Sequence, residues 1–215
     1  MSAEKISDHV DKAFSDPGSR EYAEAYLEAL RANNRDRETS YRRILILVLL
    51  LCIAFELLTR ATVTEMSILG AFKVKDLSLI QKLLPLAVGF LYYELTSLYV
   101  LGLLMNRVHD VLLRKIHEPI YENNLEHYLN PSSTFITMRI LTSETQSQGR
   151  LQVLVTHVPF YLAILFIGFG FEPYALFKLW SAFWPPDPVV VFVTVATVVL
   201  LIMSGLSYKY ASQLL

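Results

Sequence analysis

The chain has 215 residues, of which 53% are hydrophobic and 18% are charged, and its formal net charge is −1. A soluble domain usually has about 25% charged residues, so this shortage of charge and the mean hydropathy of +0.40 indicate a membrane protein and exclude a disordered chain. The near-neutral charge excludes nucleic acid as a partner, and a single Cys allows no internal disulfide. Because the first twenty residues contain no apolar run, we expect no cleavable signal peptide.

The amino-terminal segment, residues 1–41, is predicted to be a cytoplasmic helical segment. A turn signal at 16–19 precedes a run of helix formers. The apolar positions of this run share one helical face: Tyr22, Tyr26, Leu27 and Leu30. The helix could lie on the membrane, pack on the cytoplasmic loop or dock a partner. Its polar face mixes Glu with Arg, which favours packing within the protein or its oligomer over the membrane surface.

Four stretches are long and apolar enough to be transmembrane helices, since about 20 apolar residues cross about 30 Å of hydrocarbon. They are residues 42–59, 83–106, 151–171 and 189–206. We therefore predict an all-α integral membrane protein with four transmembrane helices and cytoplasmic helical extensions. The competing interpretation is a large soluble helical core, but the first and fourth runs lack the polar stripe of a soluble helix.

The predicted spans define the remaining segments. These are helices 1 and 2 within 42–106 with an outer loop at 60–82, a cytoplasmic helical connection at 107–150, helices 3 and 4 within 151–206 with an outer loop at 172–188, and a cytoplasmic tail at 207–215. Eleven Lys and Arg residues near span ends lie on one side and five on the other. The positive-inside rule then places both termini in the cytoplasm. We expect the protein to reside in the cell (inner or plasma) membrane.

The connections carry local signals of their own. Alternation around Phe72 to Leu79 predicts either a small hairpin or an interfacial helix in the first outer loop. In the second outer loop, Asp187 followed by Pro188 predicts that Asp187 is the N-cap of the fourth predicted helix. An apolar face after Arg107 predicts that the second span continues as a helix beyond the bilayer.

Two carboxylates, Glu56 and Glu94, fall inside the predicted spans. A charge at mid-bilayer costs about 2.5–3.5 kcal/mol on insertion scales, so each needs a function or a partner. Counted from Arg42 and Asn106, we expect them roughly 21 and 18 Å into the membrane, at nearly the same depth. The sequence therefore predicts a cation path or proton site lined by these carboxylates and by polar neighbours in the second span. Those neighbours are Tyr93, Thr96 and Ser97.

A purely structural role is the alternative for these residues. Glu56 would then pair with Arg60 one helical turn away, and Glu94 would bond to Thr197 or a tyrosine hydroxyl and hold helices together. His157 lies six residues into the third span beside Pro159. For this pair, a role in helix packing or gating is favoured over contact with Glu94.

No enzyme motif stands out, and the spacing of the cytoplasmic histidines fits no metal site. We therefore expect no catalytic residues, no metal and no cofactor. The predicted function is a homo-oligomeric pore or cation-channel-like assembly in contact with membrane lipid. The alternative is a non-conducting membrane anchor or sensor that recruits a soluble cytoplasmic partner through its N-terminal and 107–150 helices.

Overall fold

The computed structural model describes residues 6–14, 20–60, 66–68, 72–74, 77–117 and 166–214. The elements are α1 (Ile6–Ala13), α2 (Arg20–Thr59), β1 (Met66–Ile68), β2 (Phe72–Val74), α3 (Ser78–Ile116), a π-helix (Phe166–Phe171), α4 (Glu172–Ala182) and α5 (Pro188–Leu214). This part of the chain is almost entirely helical, in agreement with the predicted class. His157, Pro159 and most of the 107–150 connection lie outside the described residues.

The chain divides into two compact units. Unit 1 comprises Met1–Arg42, Ser97–Phe160 and Ser207–Leu215, and unit 2 comprises Arg43–Thr96 and Tyr161–Leu206. The two long helices contribute to both units, because α2 and α3 each run through a boundary. The continuation of α3 to Ile116 confirms that the second apolar stretch extends as a helix well past Asn106.

Unit 1 has a small apolar core with polar contacts along the helices beside it. Leu27 of α2 and Leu112 and Leu113 of α3 are buried together, with Ala23 and Val10. The amino-terminal part of α2 thus packs on the extension of α3, which is one of the three placements left open by the sequence. The buried face includes Ala23 in place of the predicted Tyr22 and Tyr26, whose rings stay exposed beside Phe14.

The polar contacts of unit 1 show that α2 and α3 are antiparallel there. Arg31 donates to His109, Asn34 donates to Asn106, and Arg37 donates to the Leu98 carbonyl, over 3.4, 3.2 and 3.0 Å. Burial lowers the pKa of Arg31 and of Arg37. The guanidinium of Arg37 packs directly on Gly102, where an added Cβ would lie 2.2 Å from Nη1.

Unit 2 has the larger apolar core. It is formed by α2, α3, the π-helix, α4 and α5, and its fully buried members include Val48, Phe55, Val88, Leu179 and Val193. Phe55 meets Phe171 edge-on, with ring centroids 5.7 Å apart. Among the described residues, two helices are long and apolar enough to cross a membrane, namely Ser78–Ile116 and Pro188–Tyr210.

Both local signals in the predicted outer loops have a structural counterpart. Strands β1 and β2 form an antiparallel hairpin in which Met66 is opposite Val74, so the hairpin is the alternative that the chain adopts. Asp187 accepts a 2.9 Å hydrogen bond from the Val190 amide at the start of α5, which confirms it as the N-cap. Its other carboxylate oxygen accepts from Lys82 of α3.

Candidate functional site

The predicted carboxylates of unit 2 lie at different depths. The side chains of Thr59 and Gln81 meet at 3.4 Å and fix the antiparallel register of α2 and α3 in this unit. Glu56 is three residues from this level, whereas Glu94 is thirteen residues from it, so they are separated by roughly 15 Å along the helices. The expectation of a shared depth is wrong because Arg42 and Asn106 do not mark the same level: Asn106 pairs with Asn34.

Glu56 belongs to an ion pair near the end of α2. Its Oε2 lies 3.3 Å from Nε of Arg60, one helical turn away, and Tyr174 lines the same groove as this pair. The Arg60 side chain is 74% exposed. The structural alternative considered for Glu56 is therefore the contact that the chain makes.

Glu94 and its polar neighbours are half-buried along α3. Thr96 donates to the Tyr92 carbonyl over 2.9 Å, a bond within its own helix. Tyr93 and Ser97 each take part in interactions of their own. The bond from Glu94 to Thr197 that would hold helices together is absent, because the buried Thr197 hydroxyl has no hydrogen-bond partner within the described part of the chain. A path lined by Glu94 and its neighbours stays a prediction.

The carboxyl group that is buried without a partner is that of Glu172. Its residue is 0% exposed, and neither side-chain oxygen has a hydrogen-bond partner among the residues that the structure describes. A buried ionised carboxylate is normally paired or bound to a cation. This residue is therefore the strongest candidate for a proton or cation site in unit 2.

Three helices meet at this carboxyl. A Cβ added to Gly89 of α3 would lie 3.1 Å from Cγ2 of Thr197 in α5 and 3.8 Å from Oε1 of Glu172 in α4. The absence of a side chain at Gly89 thus lets α5 and the carboxyl approach α3 closely. The thiol of Cys52 in α2 is also near enough to interact electrostatically with Glu172.

The depth of this site follows from the same register. We use the term hairpin end for the end of unit 2 at which Thr59, Gln81 and Asp187 lie. Gly89 is eight residues from Gln81 and Thr197 is ten residues from Asp187, which is roughly 12–15 Å along the helices. This distance is similar to half the thickness of a hydrocarbon layer of about 30 Å. Glu172, which lies beside Gly89 and Thr197, is therefore about half the thickness of such a layer away from the hairpin end.

The local sequence explains how the acid reaches the interior. The π-helix Phe166–Phe171 leads directly into α4, which has Glu172 in its first turn and Pro173 beside it. A Cβ on Gly168 would lie 2.5 Å from Cζ of Tyr92, so only glycine lets the π-helix pack on that ring. Such π-turns are frequent at functional sites. The extra residue in the turn shifts the face on which the following residue lies.

The predicted outer loop at 172–188 is corrected by this arrangement. Residues 172–182 are helical, and Glu172 is buried inside the unit instead of lying in a loop. The error arose because a span of about 20 residues counted from Leu151 ends at Phe171. Trp180, whose indole donates to Thr194 over 3.0 Å, gave a usable signal, because aromatic residues mark the membrane interface. Counting about 20 residues back from Trp180 would have kept Glu172 within the predicted helix.

The donor set at Glu172 suits a proton better than a metal ion. In the described part of the chain the site supplies the two carboxyl oxygens of Glu172, which have no hydrogen-bond partner there, whereas Mg²⁺ and Ca²⁺ take six or more oxygen ligands. Within the described residues, no cluster of three or more His, Cys, Asp or Glu could hold a metal.

No family model, curated protein or solved structure matches the chain.

Proposed function

We propose that the chain crosses a membrane four times and conducts cations, protons in particular, with Glu172 as the acid that binds them at mid-membrane. The observation that carries this proposal is the fully buried Glu172 carboxyl, which has no partner in the described part of the chain. An ionisable residue inside a membrane is by default a functional residue, because its burial is costly. In this proposal the protein is a homo-oligomer in the plasma membrane, and both termini of each copy lie in the cytoplasm.

The surface of unit 2 supports the membrane part of the proposal. Large apolar side chains are exposed along each helix that contributes to the unit, for example Ile46 at 59%, Phe90 at 50%, Phe177 at 69% and Ile202 at 57%. Soluble monomers rarely expose contiguous apolar patches of more than a few hundred Å². In unit 2 many large apolar side chains also face outward, while Glu172 and Thr197 are buried inside, an arrangement that suits lipid as the solvent.

The site supports proton binding in particular. A carboxyl group carries a proton on one oxygen and needs no further ligand, so the small number of oxygens at Glu172 is sufficient. The carboxyl can hold the proton or release it, and the Thr197 hydroxyl, which is buried and has no hydrogen-bond partner in the described part of the chain, is not bonded to it in this structure. Alternating between these two states is what a site on a proton path requires.

Proton flux into liposomes tests this function. The full chain is reconstituted with a pH-sensitive dye inside, and a potassium gradient with valinomycin drives protons inward. Glu172→Gln keeps the shape of the side chain but cannot ionise, so we expect its flux to fall to that of protein-free liposomes. Thr197→Val removes the hydroxyl alone and should reduce the flux without abolishing it.

Matched variants decide which carboxylate matters. Glu56→Gln and Glu94→Gln remove the two acids that the sequence predicted to line the path, and we expect both to conduct like the unmodified chain. Size-exclusion chromatography confirms that each variant assembles normally. The proposal is overturned if the unmodified chain gives no flux or if Glu172→Gln conducts normally. A loss of flux in Glu94→Gln alone would instead favour the path predicted from the sequence.

A non-conducting anchor is the second candidate, and one observation favours it. Tyr22 and Tyr26 of unit 1 are 68% and 40% exposed, and both rings stand about 6 Å from that of Phe14. Exposed aromatic clusters are typical of protein-binding surfaces. If this function is right, Tyr22→Ser with Tyr26→Ser abolishes binding of a soluble partner, and no variant of Glu172 changes any flux.

A further inference from the structure

A second feature of unit 2 is an open groove on its outer surface with a volume of about 720 Å³. It is lined mainly by apolar side chains of α2 and the π-helix, and it includes Cys52, Phe166 and Phe171. Ligand pockets in proteins are commonly about 300–1,000 Å³ and mostly apolar. The groove therefore has the size and character of a binding site for a long apolar group.

One end of the groove carries its polar groups. Glu56, Arg60 and Tyr174 also line it, and they lie near the hairpin end of α2, whereas Cys52 lies roughly 12 Å from Arg60 along the helix. Only Nε of Arg60 is used in the pair with Glu56, and a guanidinium has four further N–H donors. The groove thus combines an apolar channel with an exposed pair of opposite charges at one mouth.

We propose that this groove binds a membrane phospholipid with a zwitterionic, primary-amine headgroup, such as phosphatidylethanolamine. The acyl chain lies along Cys52 and Phe166, the phosphate binds the free donors of Arg60, and the ammonium binds Glu56. Arginine forms strong, directional hydrogen bonds to phosphate, and a pair of opposite charges is complementary to a headgroup that carries both. The inference rests on the membrane-spanning part of the proposed function and is independent of conduction.

The native cysteine reports on occupancy. Cys52 is the single Cys of the chain, it is half-buried, and it lines the groove. The purified full chain is placed in liposomes of phosphatidylcholine, to which phosphatidylethanolamine or phosphatidylglycerol is added. The rate of alkylation by N-ethylmaleimide is then followed by intact mass. We expect phosphatidylethanolamine to slow alkylation and phosphatidylglycerol to leave the rate near that in phosphatidylcholine.

Variants assign the headgroup contacts. Arg60→Gln should raise the phosphatidylethanolamine fraction that gives half-protection about tenfold, which corresponds to about 1.4 kcal/mol. Glu56→Gln should remove the preference for phosphatidylethanolamine over phosphatidylcholine. Lys209→Gln removes one positive charge near the other end of α5 and serves as the matched control, with unchanged protection.

The outcomes separate this inference from the proposed function. Equal alkylation rates in the three lipids, or stronger protection by phosphatidylglycerol, overturn the proposal. Protection that rises with protein concentration, whatever the lipid, also overturns it and assigns the groove to a second copy of the chain. Extraction of the protein from membranes by alkaline carbonate contradicts the membrane-spanning function itself. A chain that resists carbonate but shows no lipid protection leaves that function intact.

Discussion

At the scale of single residues, two glycines provide a matched test of the packing in unit 2. A Cβ on Gly168 would lie 2.5 Å from Cζ and 2.6 Å from Oη of Tyr92, and the Tyr92 ring belongs to the buried core. We expect Gly168→Ala to lower the free energy of unfolding by about 1–3 kcal/mol, because a packed core resists an added methyl group. Thermal unfolding in detergent measures this change.

Gly205 of α5 is the control, since a Cβ there would meet nothing within 4 Å. Gly205→Ala should stabilise the chain by about 0.5–1 kcal/mol, because alanine loses less conformational entropy in a helix. Equal unfolding temperatures for the two variants would contradict the close approach of the π-helix to Tyr92.

Residue types were easier to predict from the sequence than residue depths. The Glu56–Arg60 pair follows from i,i+4 spacing alone, and the Asp187 cap follows from a local pattern. Glu172 could not be recognised in this way, because its burial depends on which residues of α3 and α5 pack beside it. Those residues are Gly89 and Thr197, which are distant in the sequence.

At the scale of elements, the start of α5 depends on Asp187. One carboxylate oxygen caps the helix at Val190, and the other accepts from Lys82 of α3. Asp187→Asn retains a cap acceptor but loses the ion pair, and Asp187→Ala loses both. We therefore expect unfolding temperatures at neutral pH to decrease from the unmodified chain to the Asn variant and then to the Ala variant. The reverse order of the two variants would contradict the cap.

The same contacts predict a pH dependence. The hydrogen bond from Lys82, and next the one from the Val190 amide, hold the pKa of Asp187 below its ordinary value of 3.8. Because the folded pKa is the lower one, this stabilisation is fully present above pH 3.8 and is lost as the pH falls through the folded value. The Asn variant should therefore differ from the unmodified chain at neutral pH and converge with it in acid. A constant difference across this range would argue against the ion pair.

The helices themselves were largely predictable, whereas their register was not. Apolar content located α3 and α5, and the apolar face after Arg107 indicated that α3 continues to Ile116. Depths counted from Arg42 and Asn106 failed because both residues lie inside continuous helices and are not at the same level, since Asn106 pairs with Asn34. Hydrogen bonds between helices, such as that of Gln81 with Thr59, set the alignment.

At the scale of the whole molecule, the division into two units accounts for the composition. Unit 1 contains the Arg31–His109 and Asn34–Asn106 contacts, while unit 2 presents apolar side chains on its surface and buries Glu172. The low share of charged residues in the whole chain therefore averages a unit with polar contacts between its helices and a unit with an apolar surface. In our proposal, the apolar surface of unit 2 lies in lipid.

The placement of the termini tests this proposal directly. In a Cys52→Ser background, Ser2→Cys and Lys209→Cys each add one thiol near an end of the chain, and Lys75→Cys adds one in the predicted outer loop at 60–82. If the chain crosses four times, an impermeant maleimide applied to intact cells labels only position 75, and permeabilisation exposes positions 2 and 209. Labelling of 2 and 209 from opposite sides would require an odd number of crossings, because each crossing transfers the chain to the other face.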